Sequence, residues 1–352
     1  MRPADLCHYP SSWFRGGPDA VSDIVISSRI RLARNVAGYE FLPCLSAERQ
    51  LQLHNRLKEA LLSIDLGEKI WCVDIDHASD VERNLLTERH LISRRHAKGK
   101  GPRSVVLAGD ESFTAMINEE DHLRMQVYAA GLDLDACWQR LGRIDDLIEE
   151  KIDYAFDRRL GYLTACPTNL GTGLRVSVML HLPALKMAGH IEKFITAAHD
   201  CDMAVRGLFG EGTDAVGDFF QLSNQITLGL SEQQIIETFS DVIVPKIIAY
   251  ETVARKALLG KKPRALDDKI QRALGVLRSA HLISSQEALF LLSNVRLGVN
   301  LGRVTYINIA TVNELFMLTQ PAHLQLRAGK ILDADQRDTL RAEIIRTKLS
   351  HN

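Results

Sequence analysis

Long apolar runs are missing from this chain, and so is any paired-cysteine motif. No uninterrupted apolar stretch approaches the length needed to cross a bilayer, which excludes a helical membrane span. The six cysteines, at positions 7, 44, 72, 137, 166 and 201, are scattered without a CxxC pair. That spacing argues against a zinc site and against a disulfide framework, and it fits a reduced, cytoplasmic setting. The opening MRPADLCHYPSSWFRGG lacks the apolar core of a signal peptide. A formal net charge of −1 leaves no general polyanion-binding surface, so nucleic acid and anionic membrane are not expected partners. GxxxxGK[ST] is absent, and no GxGxxG follows a strand, so neither a P-loop nor a Rossmann site is supported. HExxH and GxSxG are absent too, and there is no internal repeat.

What is present is an ordinary globular composition: 352 residues, 46% hydrophobic and 25% charged, enough for two domains. DIVISSRIRLA (23 to 33) alternates polar and apolar residues and predicts a strand. Residues 46 to 64 carry helical apolar spacing with Ser46 as N-cap. KIWCVDI, SVVLA, FTAMIN, GYLTA, RVSVMLHL, MAVRGLF and DFFQLS predict further strands, with helices over about 133 to 157 and 182 to 199. Strands rarely alternate with helices, which favours an α+β fold with a largely antiparallel sheet. The texture changes near residue 231, where one long helix begins, perturbed at Pro245. GKGPR (99 to 103) reads as a mobile basic loop. After GKKPR (260 to 264) only helical patterns follow, at about 265 to 280, 285 to 297, 306 to 319 and 334 to 349. The expected division is 1–258 for the α+β domain and 259–352 for a small all-α domain.

Chemistry concentrates in arginines beside glycine-rich or acidic stretches. Arg29 and Arg31 in SSRIRLARN are two apart, so on a strand they point the same way. Planar guanidinium groups suit polyphosphate through bidentate, charge-assisted bonds, whereas surface ion pairs are the plain alternative. Arg124 ends NEEDHLR, Arg175 ends CPTNLGTGLR, and Arg206 opens RGLFGEGTDAVGD. If INEEDHLRM (117 to 125) is one extended strand, Asn118, Glu120, His122 and Arg124 share a face while Glu119 and Asp121 lie on the other. Glu120 beside Arg124 reads either as a solvated salt bridge or as a base next to an anion-binding cation. Cys166 reads as a small buried hydrophobe or, among arginines, as a thiolate. Glu211 sits in a glycine-flanked loop suited to closing over a ligand.

SSRIRLARN, NEEDHLR, GYLTACPTNLGTGLR and RGLFGEGTDAVGDFFQLSNQITLG follow the order and spacing of the guanidino kinases, and the chain resembles that family over about residues 20 to 255. Within it, the chain is similar to the bacterial protein-arginine kinases, which lack the N-terminal helical domain of phosphagen kinases and carry a C-terminal helical one. The resemblance implies a curved antiparallel sheet flanked by helices, like that of glutamine synthetase, and ATP with Mg²⁺ as cofactors. It implies nucleotide-phosphate contacts from Arg29, Arg31, Arg124, Arg175 and Arg206. Glu120 and Glu211 become the carboxylates that orient the guanidinium and accept its proton, and Cys166 the active-site cysteine. Glu119 and Asp121 are implied to touch magnesium through water, and His122 is left as a structural polar group. Where phosphagen kinases have a histidine near the adenine, this chain has Met179, and His181 is not its substitute.

RDTLRA places Arg337 and Arg341 on one helical face, with Asp338 able to pair with Arg341. An exposed charge cluster is the plain reading, and the resemblance implies a regulatory phosphoarginine-binding site. It also implies protein substrates with exposed arginine, a zinc-binding activator protein, a Clp-type unfoldase acting in stress response, and a homo-oligomer. A kinase for free arginine or another small guanidine is the alternative enzyme. A non-catalytic phosphoarginine-binding adaptor is the alternative outside enzymes.

Overall fold

The structure, a computed structural model, describes residues 3–8, 11–17, 21–208 and 216–350. Its centre is an eight-stranded sheet in the order β2-β3-β4-β5-β1-β8-β10-β9. The strands are β1 (Val25–Arg34), β2 (Ile70–Asp74), β3 (Ser104–Ala108), β4 (Phe113–Ile117), β5 (Leu123–Ala130), β8 (Leu174–His181), β9 (Met203–Gly207) and β10 (Phe219–Asn224). Every pairing in it is antiparallel. β6 (Phe156–Asp157) and β7 (Gly161–Tyr162) form a separate small hairpin.

Period-two alternation explains the two faces. Ile30 and Leu32 of β1, Met125 and Val127 of β5, Val176 and Val178 of β8, and Leu222 of β10 are buried in one large core. The helices α1 (Ala47–Ser63) and α4 (Leu134–Glu149) cover that side with Leu53, Leu57, Leu141 and Ile148. Ser46 and Asp133 cap these helices, as their side chains accept from Arg49 and Ala136 backbone N–H groups. The intervening residues of the central strands face the other way. There the C-terminal helices cover one end of the sheet, through Ile26, Met179 and Phe219. α2 (Asp80–Glu88) covers the other end through Leu85 and Leu86, packed with Val105 and Met116. Between the two covers lies a polar cleft.

Several expected elements break where local physics demands it. Residues 117–125 are not one strand, because Asn118 takes a left-handed φ of 60° and the chain reverses between β4 and β5. The expected helix over 133 to 157 stops at Glu149, and GYLTA contributes only the two residues of β7. The 182 to 199 helix is split into α5 (Pro183–Met187) and α6 (Ile191–Asp200), with Gly189 at a φ of +72° between them. The long helix after 231 survives as α7 (Glu232–Glu237), a π-helical turn (Thr238–Ile243) and α8 (Val244–Lys261). The wider turn directly precedes Pro245, whose missing N–H cannot join an α-helical ladder. Arg103 of GKGPR is buried, donating to the His96 carbonyl and to Asp76.

Behind Lys262 come α9 (Pro263–Ser279), α10 (Ser285–Asn300), α11 (Ile309–Leu318), α12 (Pro321–Ala328) and α13 (Ala334–Ser350). α12 was not anticipated; Pro321 at its first turn is the signal that marks it. A buried polar chain ties these helices to the sheet. Arg296 of α10 donates to His181 Nδ1 at 2.8 Å, so the proton of that imidazole sits on Nε2. Nε2 in turn donates to Ser293 Oγ at 2.9 Å, and Ser293 donates to Asp218 at 2.6 Å. Burial, with Arg296 and Arg255 nearby, holds the His181 pKa well below its ordinary value.

Gly173 supports the loop that leads into β8. Its φ is +65°, and an added Cβ would lie 2.6 Å from the Ala33 carbonyl oxygen and 2.7 Å from Arg34 Nη1. Gly173→Ala is expected to destabilise the fold by about 1–3 kcal/mol, or more if β1 shifts. An unchanged midpoint in urea unfolding would contradict this account.

Candidate active site

The polar cleft has a volume of about 470 Å³. Strand register assembles its floor: Arg31 of β1 stands opposite Arg175 of β8 and Gln126 of β5, and Arg29 stands between Tyr128 and Ser177. Arg124 sits one alternation further along β5, paired to Ala33. Arg206 of β9 enters from across Gln221 of β10. All five arginines line the same cavity. Backbone pleating aims them there, since each takes the side opposite the apolar residues of its strand.

Like charges this close need compensation. Arg29 donates from Nε to Ser177 Oγ and from Nη1 to Tyr128 OH, both at 3.1 Å. Arg175 donates to Ser223 Oγ at 3.2–3.3 Å. Arg124 donates to Glu119 at 2.9 Å. Arg31 is different. It is only 5% exposed, and its Nε and Nη2 find no acceptor among the described residues. Burial pushes its pKa well down, and Arg29, Arg124 and Arg175 push it further. A buried guanidinium with unmet donors amid three other cations is a site built for an anion.

The hairpin turn 118–122 distributes the acidic residues. Glu119 lies at the cleft wall, accepting from Ser93 Oγ, from Arg124 and from the Glu120 N–H. Burial alone would raise its pKa, but Arg124 and the bonds from Ser93 and Arg124 prevail and hold it at about 2. Glu119 is therefore an ionised support for Arg124. The expectation that Glu120 and Arg124 share a strand face is corrected: Arg124 pairs with Glu119. Glu120 lies on the turn, part exposed, and pairs with Arg95 Nη1 at 2.7 Å. His122 accepts from the Val36 N–H at Nδ1 and donates from Nε2 to the Glu40 carbonyl, so it is structural. Burial lowers its pKa to about 4.

Asp121 also departs from expectation. It is 1% exposed, and its Oδ1 accepts from Asn35 Nδ2 at 2.7 Å and from the Ala165 N–H at 2.6 Å. It fastens the hairpin to β1 and to the chain before Cys166, and does not fit a role with magnesium. Among the described residues no group of three or more His, Cys, Asp or Glu could hold a metal.

Cys166 lines the cleft at the start of a short 3-10 turn (Pro167–Asn169), with Sγ 3.0 Å from Thr168 Oγ1. Glu211, with the rest of GEGTD, lies outside the described residues. Met179 is buried in the core that carries Trp13 and Tyr128. Arg337, Asp338 and Arg341 lie on α13, away from the cleft. Arg341 is 1% exposed and donates to the Thr319 and Ile283 carbonyls and to Asp338. Arg337 donates to the Leu332 carbonyl at 2.6 Å.

Sequence reasoning missed Ser93, Arg94, Arg95, Thr168, Gln126 and Gln221, all of which line the cleft. Ser93 caps the one-and-a-half-turn helix α3 (Arg94–Lys98), and SRR after a helix is a weak signal for that.

A cradle of five arginines over one face of a sheet suits the binding of a polyphosphate, as in a phosphotransferase. Residues 52–254 match the ATP:guanido phosphotransferase C-terminal catalytic domain, and residues 263–352 match the protein-arginine kinase McsB C-terminal domain. The chain belongs to the ATP:guanido phosphotransferase family. It is 44% identical to the protein-arginine kinase of Halothermothrix orenii over 97% of both chains. It is 45% identical to that of Syntrophomonas wolfei over 96% of this chain and 95% of the relative. Among solved structures it is similar to lombricine kinase, with a TM-score of 0.59, 29% identity and 68% of each chain covered. It also resembles the duplicated taurocyamine kinase of Schistosoma mansoni with bound transition state analog components (TM-score 0.60, 25% identity, 82% of this chain and 43% of that one).

Arg31→Met tests the cradle with two readouts of opposite sign. Removing an uncompensated buried cation is expected to stabilise the free protein by about 1–3 kcal/mol in thermal unfolding. The same change is expected to weaken ATP binding by about 10- to 100-fold in calorimetry. Loss of both stability and binding would show that Arg31 has an internal role instead.

Proposed function

We propose that this chain transfers the γ-phosphoryl group of ATP to arginine side chains of proteins. The observation that carries this reading is the cluster of Arg29, Arg31, Arg124 and Arg175 in the same cleft as a carboxylate, Glu120, that pairs with the guanidinium of Arg95. Arg95 supplies that guanidinium from within the chain, and it is exposed enough to give way to a substrate arginine.

Phosphoryl transfer leaves the protein mainly positioning and electrostatics. Arg29, Arg31, Arg124, Arg175 and Arg206 hold the triphosphate and the charge of the planar phosphoryl group. Magnesium, when bound with the nucleotide, adds positive charge at the phosphate oxygens. The nucleophile is the harder part, because a guanidinium is protonated and delocalised at neutral pH. Glu120 orients it in line and takes a proton as the N–P bond forms, with Glu211 as the proposed second carboxylate. Cys166, on the same wall, is proposed as the active-site cysteine that contacts the incoming guanidino group.

Glu120→Gln and Glu211→Gln are each expected to keep ATP binding and to lose about 10²- to 10⁴-fold in transfer rate. Acid-labile phosphate on a casein-like protein, compared with free arginine, reads both the rate and the substrate class. Normal phosphoarginine formation by either variant would overturn the assignment, and preference for free arginine would overturn the protein substrate.

We also propose two domains, residues 1–258 for catalysis and 259–352 for the helical part, supported by the change from a sheet with helices to helices alone after Lys262. RDTLRA is proposed as a regulatory phosphoarginine site, with Arg337 as the accessible cation and Arg341 as the buried pin that sets its helix. Titrating phosphoarginine into a Glu120→Gln variant is expected to give saturable heat that Arg337→Ala abolishes; no heat in the parent would refute the site. A homo-oligomer, a zinc-binding activator, a Clp-type unfoldase acting in stress response and a cytoplasmic location complete the proposal. No helix among the described residues is long and apolar enough to cross a membrane.

A further inference from the structure

Beside the catalytic cleft lies a second concavity of about 260 Å³ that the mechanism does not use. It runs between the β6–β7 hairpin and the segment 226–230. Its walls carry Phe156, Leu160, Leu228 and Leu230, all large, apolar and exposed. Isolated surface leucines need no explanation, but several converging on one groove mark an interaction site.

The groove is rigid by construction. Gly161 and Gly171 touch so closely that a Cβ on Gly161 would lie 2.5 Å from the Gly171 carbonyl oxygen, and both have positive φ. The Tyr162 N–H donates to that carbonyl at 2.7 Å. A Cβ on Gly171 would in turn lie 3.0 Å from Leu228 Cα. Thr227 Oγ1 bonds the Thr168 and Leu170 carbonyls at 3.1 and 2.6 Å, joining the two walls. Below them, Arg34 stacks 3.5 Å from the Tyr162 ring centroid and donates to the Thr172 carbonyl at 2.9 Å. Such a groove loses little entropy when a ligand docks.

Continuity with the catalytic cleft identifies the occupant. One loop serves both cavities: Cys166, Thr168 and Asn169 line the cleft, and Gly171 and Thr172 line the groove. Asn169 and Gly171 are two residues apart, at most about 7 Å of chain. A polypeptide that delivers an arginine to Glu120 and Cys166 and leaves the cleft along this loop crosses directly into the groove. We propose that the groove docks an apolar side chain of the substrate that lies a few residues along the extended chain from the target arginine. The occupant is an extended segment of the substrate, because alternate side chains of an extended chain can enter the cleft and the groove in turn. This rests on the protein-arginine kinase reading and adds a rule of substrate choice to it.

The test uses the full chain and two fluorescent extended peptides that share one arginine and differ by Phe or Ser three residues after it. Anisotropy titration is expected to show about tenfold tighter binding of the Phe peptide, as burying one aromatic ring predicts. Phe156→Ser and Leu228→Ser, at sites 58% and 48% exposed, should keep the fold and erase that preference. A benzophenone placed at the Phe position is expected to crosslink within 156–162 or 226–230. Equal binding of the two peptides by the unaltered protein, or crosslinks only elsewhere, would overturn the proposal. Phosphate transfer measured in the same samples reports separately on the kinase reading: discrimination in binding without transfer supports the groove and refutes the kinase.

Discussion

The repulsion among arginines on one face of a sheet is the constraint on which this structure turns. Arg31 is buried with two donors unmet among the described residues, and Arg29, Arg124 and Arg175 surround it. A folded chain tolerates that only if the opposite face and both ends of the sheet are strongly packed. They are, with apolar residues of the central strands buried against α1 and α4 on one side. Stability stored in that core offsets a site that is unfavourable until an anion arrives.

The acidic residues near the cleft are sorted by what they face. Glu119 is spent on Arg124 and Ser93, and Asp121 on Asn35 and the Ala165 N–H. Glu120, adjacent to both, sits on the outside of the turn and is left to an exchangeable arginine partner. A reversal of five residues thus separates two structural carboxylates from one that faces out of the turn toward Arg95.

The helical C-terminal part is joined to the sheet by charge as well as by apolar packing. Asp218, Ser293, His181, Arg296 and Asn313 form a continuous buried chain, so Asp218, just before β10, is anchored on α10. Arg89 makes a second tie, bonding Glu111 and meeting His323 of α12 at 3.2 Å. Removing one member of such a network strands a buried polar group, which is why both halves of the chain fold against each other.

Much of this was legible in residue order. The alternation of Arg29, Ile30, Arg31 and Leu32 determined the strand and its two faces, and the four arginine motifs determined the family and its chemistry. Caps at Ser46 and helical spacing beyond 265 likewise follow from local preference. What the linear chain could not carry is which partner each charge meets. Arg31 beside Arg175, Arg124 on Glu119 and Glu120 on Arg95 depend on strand register and on a left-handed Asn118, and Arg95 arrives from a separate helix. Local sequence determined the elements because backbone and side-chain preferences act over a few residues. Tertiary structure alone decided which arginine is left without an acceptor among the described residues, because burial and charge pairing are set by residues far apart in the chain, 148 positions for Arg29 and Ser177 and 234 for Arg89 and His323.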